Sequence, residues 1–242
     1  MKIFPVLTVS LAISILIGCV SGPAPTSSIP ESRATIPSNR LGTKWWKNRL
    51  EAKEAEAKSQ HDTVFIGDSI THNWDAVAPD LQKQYFGNVL NLGFSGDQTQ
   101  DVLWRIARID WKTVAPKRIM LMIGTNNSGK GEQPENTLNG IRAILQVLRT
   151  SCPDAKITLL AIFPRGNNSQ DILRQRNNAI NAELPTLADE RHIYFRDIAP
   201  YYLMPDGDTL NTKLLPDRLH PNKEGHRLWA AAIARDFLND YQ

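Results

Sequence analysis

Cysteine is nearly absent from this chain, which has only Cys19 and Cys152 among 242 residues. Cys19 closes an N-terminal apolar segment, so the body of the protein keeps one thiol. A lone cysteine cannot close an intramolecular disulfide, and a disulfide framework is excluded. Charge of one sign is scarce too. The net charge is +3 and the basic residues are scattered. Without a basic stripe, nucleic acid is excluded as a partner. Metal-ligand spacing is also missing. His220 and His226 are six apart, with no carboxylate or cysteine cluster beside them, so neither a metal nor a cofactor is called for. The only long apolar run is Ile3 to Ile17, too short for a membrane span. No internal repeat is visible. The length suits one sizeable core and not two domains.

That apolar run has the form of a targeting segment. Lys2 supplies a basic start, and the run ends in Leu16-Ile17-Gly18-Cys19. This resembles a bacterial lipobox, in which the cysteine carries the lipid, so residues 1–19 read as a lipoprotein signal peptide with Cys19 as the attachment point. A plain secretory signal is the alternative. Val20 in place of aspartate points to the outer membrane in a Gram-negative host. The expectation is an exported lipoprotein, membrane-anchored on the periplasmic side or at the cell surface. Residues 20–43 are rich in Ser, Pro and Thr and read as a flexible tether. The folded domain is then 44–242. It starts with a charged helix over 44–60 whose apolar stripe (Trp46, Leu50, Ala57) is strong only in its first turns. Trp45 and Trp46 either clamp this helix to the domain or form an aromatic platform for substrate.

From Thr63 onward, strand and helix patterns alternate. Strands are predicted at 63–66, 89–92, 118–123, 157–162 and 193–196, and helices near 75–85, 99–109, 135–150, 171–188 and 222–239. The third and fourth strands, RIMLMI and ITLLAI, are almost wholly apolar, as strands covered on both faces are. The spacing predicts right-handed crossovers and a five-stranded parallel sheet in a three-layer α/β/α sandwich of flavodoxin-like type. Cys152 falls at the end of a helical pattern, before Pro153, as a semi-buried thiol.

Polar groups gather where these strands end. Phe65-Ile66-Gly67-Asp68-Ser69 closes the first, Asn91-Leu92-Gly93-Phe94-Ser95-Gly96-Asp97 the second and Gly124-Thr125-Asn126-Asn127 the third, while Asp217-Arg218-Leu219-His220 precedes the last helix. In a parallel sheet all four share the carboxyl edge, where ligands bind. A serine hydroxyl is a weak nucleophile without a base and an orienting acid. Ser69 as nucleophile, His220 as base and Asp217 as its partner satisfy the requirement for acyl transfer. The backbone N–H groups of Ser69 and Gly93 and the amide of Asn126 are the candidate oxyanion donors. Each motif alone has a plainer use as a helix cap or turn; the joint order carries the reading. Two decoys fail. Gly93-Phe-Ser95-Gly-Asp97 lacks the last glycine of a nucleophile elbow. Gly124-Thr-Asn-Asn-Ser-Gly129-Lys130 is followed by glycine, not by Ser or Thr and a helix. Asp68 reads as structural. His72 and Trp74 either line the pocket or belong to a helix face, and Arg165 either borders the site or fixes its own loop.

These residues, with Val-Leu-Trp-Arg (102–105), Phe-Pro-Arg-Gly (163–166) and Asp-Arg-Leu-His-Pro (217–221), resemble the GDSL, or SGNH, hydrolase family. The similarity is nearest to the platelet-activating factor acetylhydrolase catalytic subunits and their bacterial relatives. It spans about residues 60–240 and implies metal-free hydrolysis of a small-molecule or polysaccharide ester. The expected activity is that of an acetylesterase-like serine hydrolase acting on short-chain esters, with acetylated carbohydrate as the leading substrate. The alternatives are a lysophospholipase-type acyl hydrolase, or a carbohydrate- or envelope-binding module on a hydrolase scaffold.

Overall fold

The computed structural model describes residue 1 and residues 29–238. The signal peptide, Cys19 and the first part of the expected tether lie outside the described residues.

Five parallel strands form the central sheet: β1 Thr63–Gly67, β2 Val89–Gly93, β3 Arg118–Met122, β4 Lys156–Leu160 and β5 Ile193–Arg196. Their spatial order is β2-β1-β3-β4-β5, the doubly wound arrangement expected from the alternating pattern. β1 and β2 are buried along their whole length, which explains why they are mostly apolar; the buried exception in β2, Asn91, donates to the Thr71 carbonyl at 3.1 Å and to Asp75 at 2.8 Å. Alternation sorts their side chains. Val64 and Ile66 face one layer, and Phe65 faces the other.

The helices in chain order are α1 Lys44–Glu56, α2 Ser69–His72, α3 Trp74–Val77, α4 Pro79–Phe86, α5 Thr99–Ile106, α6 Trp111–Val114, α7 Thr125–Gly129, α8 Pro134–Ser151, α9 Ile172–Glu183, α10 Lys223–Ile233 and α11 Arg235–Leu238. One apolar layer joins α5, α6, α8 and α9 to the sheet through residues such as Ile106, Val114, Ile144 and Ile180. The opposite layer is aromatic. Phe65, Trp74, Phe86, Phe163 and Trp229 join α3, α4 and α10 to the other face. Such edge-to-face clusters contribute about 0.5–1.5 kcal/mol per pair beyond burial.

Three expectations change. Residues 30–43 are not a free tether. Ala34 is fully buried, its carbonyl accepts from the Thr99 hydroxyl at 2.8 Å, and Ser38 N–H donates to the Gln100 carbonyl at 3.1 Å. Hydrogen bonds hold this polar stretch where apolar area alone would not. Of the two adjacent tryptophans only Trp46 clamps α1; Trp45 stays 41 % exposed. The long helices predicted at 75–85, 171–188 and 222–239 are each broken into two segments near Ala78, Leu184 and Ala234. Cys152 caps α8 as a buried free thiol, and burial pushes its pKa up to about 11.

Candidate active site

The chain turns one way from β1 to β2 and then crosses to β3 on the far side of β1. Ligands bind at such a switch point, outside the carboxyl ends of the strands. Ser69 follows β1 there, and Asn126 follows β3.

Gly67 and Asp68 make the turn between β1 and α2. A side chain at Gly67 would run into Thr71 and the Met122 carbonyl, so only glycine lets the strand end this close to its neighbours. Asp68 caps α2 by accepting from the Ile70 N–H at 3.0 Å. It is almost fully buried. Burial raises its pKa to about 7 against the pull of the Ile70 amide, with the Asp97 carboxylate adding to the rise and Arg165 opposing it.

Ser69 Oγ lies 2.8 Å from His220 Nε2. His220 Nδ1 lies 2.6 Å from Asp217 Oδ2. The other Asp217 oxygen accepts from the N–H groups of Leu219 at 3.1 Å and His220 at 2.7 Å. Burial would raise the Asp217 pKa, but the hydrogen bonds from the His220 side chain and backbone outweigh it and hold the carboxyl below its usual range. The tight turn needs Arg218 in the left-handed region, at φ 62°, a conformation that costs a non-glycine residue energy and is kept where surrounding bonds enforce it. The Arg218 carbonyl accepts from Gly166 N–H at 3.2 Å. Behind the turn, His226 on α10 is fully buried. Its ring meets Trp74 edge-on, with centroids 4.6 Å apart.

The structure therefore brings Ser69, His220 and Asp217 into one hydrogen-bonded line, with Asn126 at the same sheet edge. Gly93 departs from its expected role. Its N–H donates to Asn91 Oδ1 at 2.9 Å, so it is committed inside β2. Glycine is needed there because a side chain would strike the backbone of His72. The next glycine in the loop, Gly96, is exposed, sits at φ +78°, and donates no hydrogen bond among the described residues. Ser69 N–H is likewise uncommitted among them. The sequence signal for Gly96 was present in Gly-Phe-Ser-Gly-Asp, where two glycines compete and spacing alone does not choose.

Asn126 donates to the Asp97 backbone carbonyl at 2.9 Å. One hydrogen of its amide fixes the group, and the second remains for a ligand. Asp97 is itself held from three sides, by Trp46 Nε1 at 2.7 Å, Arg105 Nε at 2.7 Å and Arg40 at 3.3 Å. Arg49 draws on the same loop from outside, donating to the Gly93 carbonyl at 2.8 Å and to Asp75 at 2.8 Å. Sequence reading offered Trp46 only as a helix clamp or substrate platform and missed Arg40 and Arg49, because no local pattern links these residues to partners tens of positions away.

The rival serine also meets a histidine. Ser95 Oγ is 2.9 Å from His72 Nδ1, but no carboxylate hydrogen-bonds that ring among the described residues. Burial, helped by the Arg49 charge, lowers the His72 pKa to about 4, which makes it a poor base near neutrality. Arg165 fixes its loop, donating to the Thr125 carbonyl and hydroxyl at 3.1 and 3.2 Å. The Gly124–Lys130 decoy folds into α7 and is no open phosphate cradle.

A flavodoxin-like sheet with a hydrolase-type polar edge defines a class, and comparison with known proteins places the chain within it. Residues 65–228 match the GDSL-like lipase/acylhydrolase family, and the chain belongs to that family. It is a carboxylic ester hydrolase. Among similar proteins are the platelet-activating factor acetylhydrolase IB subunit alpha1 of Bos taurus, 30% identical over 201 residues that cover 81% of this chain and 84% of that protein. The alpha2 subunit of Rattus norvegicus is 33% identical over 164 residues, covering 65% of this chain and 66% of its own. Similar solved folds include a GDSL-like lipase from Bacteroides thetaiotaomicron, with TM-score 0.66 and 20% identity over 78% of this chain and 96% of that one. An acetylxylan esterase from Geobacillus stearothermophilus has TM-score 0.59 and 20% identity, over 76% of this chain and 97% of that one.

Proposed function

We propose that this protein is an exported serine esterase that removes short acyl groups, acetyl foremost, by a Ser69–His220–Asp217 triad. The observation that carries the reading is the continuous line from Asp217 Oδ2 to His220 to Ser69 Oγ, at 2.6 and 2.8 Å. In this mechanism Ser69 Oγ attacks the ester carbonyl carbon while His220 Nε2 takes its proton. Asp217 holds the ring in the tautomer with hydrogen on Nδ1 and stabilises the imidazolium that forms. The carbonyl oxygen gains negative charge and is met by the N–H groups of Ser69 and Gly96 and by the Asn126 amide. The C–O bond to the alcohol then breaks, and His220 returns the proton to the leaving oxygen. Water repeats the sequence on the acyl-enzyme.

The acetyl preference is supported by the relatives named as acetylhydrolases. Export rests on the sequence of residues 1–19, with Cys19 as the lipid-bearing residue.

The test is hydrolysis of p-nitrophenyl acetate by residues 20–242, beside Ser69→Ala and with and without a chelator. Turnover that survives the chelator and is lost in Ser69→Ala is expected; full activity in Ser69→Ala would overturn the triad. Export is tested separately. Cys19→Ser is expected to move the full-length protein from the membrane fraction to the soluble one, and unchanged membrane association would remove the lipoprotein reading.

A further inference from the structure

Asp97 N–H donates to the Phe94 carbonyl at 3.1 Å, so Phe94–Asp97 is a four-residue turn with the Ser95–Gly96 peptide at its centre. Gly96 sits at φ +78° and Ser95 lies outside the left-handed region, which is type II geometry. Types I and II differ by a rotation of the central peptide. The dihedrals on its two sides change by about 150–170° while the ends of the turn stay in place. A trans peptide is planar, so its C=O and N–H point in opposite directions and turn over together. The Gly96 N–H that the esterase mechanism aims at the oxyanion belongs to this unit, and a flip would turn it away.

The group that holds this peptide comes from outside the loop. Arg40 Nη1 donates to the Ser95 carbonyl at 2.8 Å and reaches Asp97 Oδ1 at 3.3 Å, so one guanidinium nitrogen brackets Gly96 on both sides. Asp97 is in turn fixed by Trp46 and Arg105, and the Arg40 guanidinium carbon lies 5.7 Å from the Trp45 ring centroid. The Ser95 side chain is tied separately, its Oγ 2.9 Å from His72 Nδ1. That bond fixes the residue and leaves the plane of the next peptide unset. Among the described residues no other group donates to the Ser95 carbonyl.

We infer that Arg40 is a positioning residue for ester hydrolysis: through the Ser95 carbonyl it holds the Gly96 N–H toward the oxyanion and strengthens it as a donor. The inference rests on the esterase reading. Two effects act in the same direction. Flipping the peptide breaks a charge-assisted hydrogen bond, about twice as strong as a neutral one. A cation on the amide oxygen also draws electrons from the amide nitrogen, and its N–H becomes the better donor, as in any polarised chain of hydrogen bonds. The docking of residues 30–43 on α5, through Ala34 and Ser38, then serves the reaction as well as the fold, because it delivers Arg40.

The test uses the full-length protein, with p-nitrophenyl acetate as substrate and trifluoroacetone as probe. When Ser69 Oγ bonds to the ketone carbon, the carbonyl π pair moves to oxygen and His220 takes the serine proton. The adduct carries an oxyanion that the ground-state ester lacks. Losing an oxyanion donor outright typically costs about 10²–10³ in kcat, and a misdirected one costs less. In Arg40→Ala, kcat is expected to fall about ten- to hundredfold with KM within about twofold of wild type. The inhibition constant of trifluoroacetone is expected to rise by the factor that kcat/KM loses. Arg40→Lys keeps a cation for the carbonyl and is expected to stay within about fivefold of wild type. Arg33→Ala, an exposed position on the same segment, is expected to change nothing. Thermal melts accompany each variant. Should Arg40→Ala fail to fold, the uncharged Arg40→Gln takes its place with the same expected direction. Unchanged kcat and unchanged inhibition in the folded variant overturn the inference, as does a loss confined to KM or to the melting temperature. Failure of the esterase reading looks different, as p-nitrophenyl acetate turnover that persists in Ser69→Ala.

Discussion

The side-chain amide of Asn126 donates to the backbone carbonyl of Asp97 at 2.9 Å, so the loop after β3 is tied to the loop after β2. Were Asn126 free, its amide would have to be ordered at the moment of reaction; tied, it is oriented beforehand. Removing one preorganised oxyanion donor typically costs about 10²–10³ in kcat. Asn126→Ala is therefore expected to lower kcat by that factor with little change in KM. Since Asn126 is only half-buried, stability should fall by no more than about 1 kcal/mol. Steady-state kinetics and urea unfolding on the same preparation check both. A large rise in KM with kcat kept would assign Asn126 to ground-state binding.

Two glycines in the β2 loop make opposite predictions. Gly93→Ala places a methyl against the His72 backbone, and backbone cannot move aside as a side chain can. It is expected to unfold the site or the protein, losing more than about 3 kcal/mol. Gly96→Ala meets only the end of the Arg40 side chain, at 3.0 Å. Its cost is the positive φ, about 1–2 kcal/mol. The Gly96 variant is expected to fold, with kcat reduced because the loop amide is displaced. Thermal melts and turnover of p-nitrophenyl acetate separate the cases. A folded Gly93→Ala with kcat alone reduced would return the oxyanion role to Gly93.

The legible part of this protein was what depends on local pattern. Thr63–Gly67 and Val89–Gly93 were readable because a strand buried on both faces is mostly apolar, even with Asn91 inside the second. Ser69 and Asn126 were readable because each closely follows an apolar strand, and Asp217 and His220 because a carboxylate and an imidazole three positions apart precede the last helix. What escaped depends on distance in sequence. Trp46 and Arg40 look like a helix face and a linker, and only the fold shows that both converge on Asp97. The hidden use of Gly93 had the same origin. Its neighbours are Asn91 Oδ1 and the His72 backbone, one set by the pleat and the other by a different element. The packing of residues 30–43 was missed because composition estimates apolar burial, whereas Thr99, Gln100 and Asp101 hold this segment by hydrogen bonds.

Trp46 tests how far that N-terminal segment supports the site. Its indole N–H donates to the buried Asp97 carboxylate at 2.7 Å, and its ring packs on Phe94 with centroids 5.5 Å apart. Trp46→Phe keeps most of the ring packing and removes the donor. Hydrogen bonds to charged groups contribute about 1.5–3 kcal/mol, and a loss of about 2 kcal/mol in urea unfolding is expected. Asp97 also presents the carbonyl that fixes Asn126, so kcat should fall several-fold while KM holds. Trp104→Phe, on the outer side of the same cluster, should cost less and leave kcat unchanged. Equal effects of the two substitutions on kcat would deny Trp46 a positioning role.

Asp68 makes a prediction about pH. In the unfolded chain its carboxyl ionises near 3.8, and in the fold, mainly through burial, near 7. Between these values the folded state binds more protons than the unfolded one, so this group makes stability fall as pH rises from about 4 to about 7 and level off above. Asp68→Asn keeps an oxygen to accept the Ile70 N–H and cannot ionise. At pH 5 the folded wild type already carries the proton, and the variant gains little beyond what the unfolded carboxyl loses. At pH 8 the folded wild type holds a buried charge that the variant lacks. The stabilising effect of Asp68→Asn is therefore expected to be about 2–3 kcal/mol larger at pH 8 than at pH 5. Urea unfolding at the two pH values measures it directly. The same increment at both would mean that the Asp68 carboxylate is stabilised in the fold as well as it is in water.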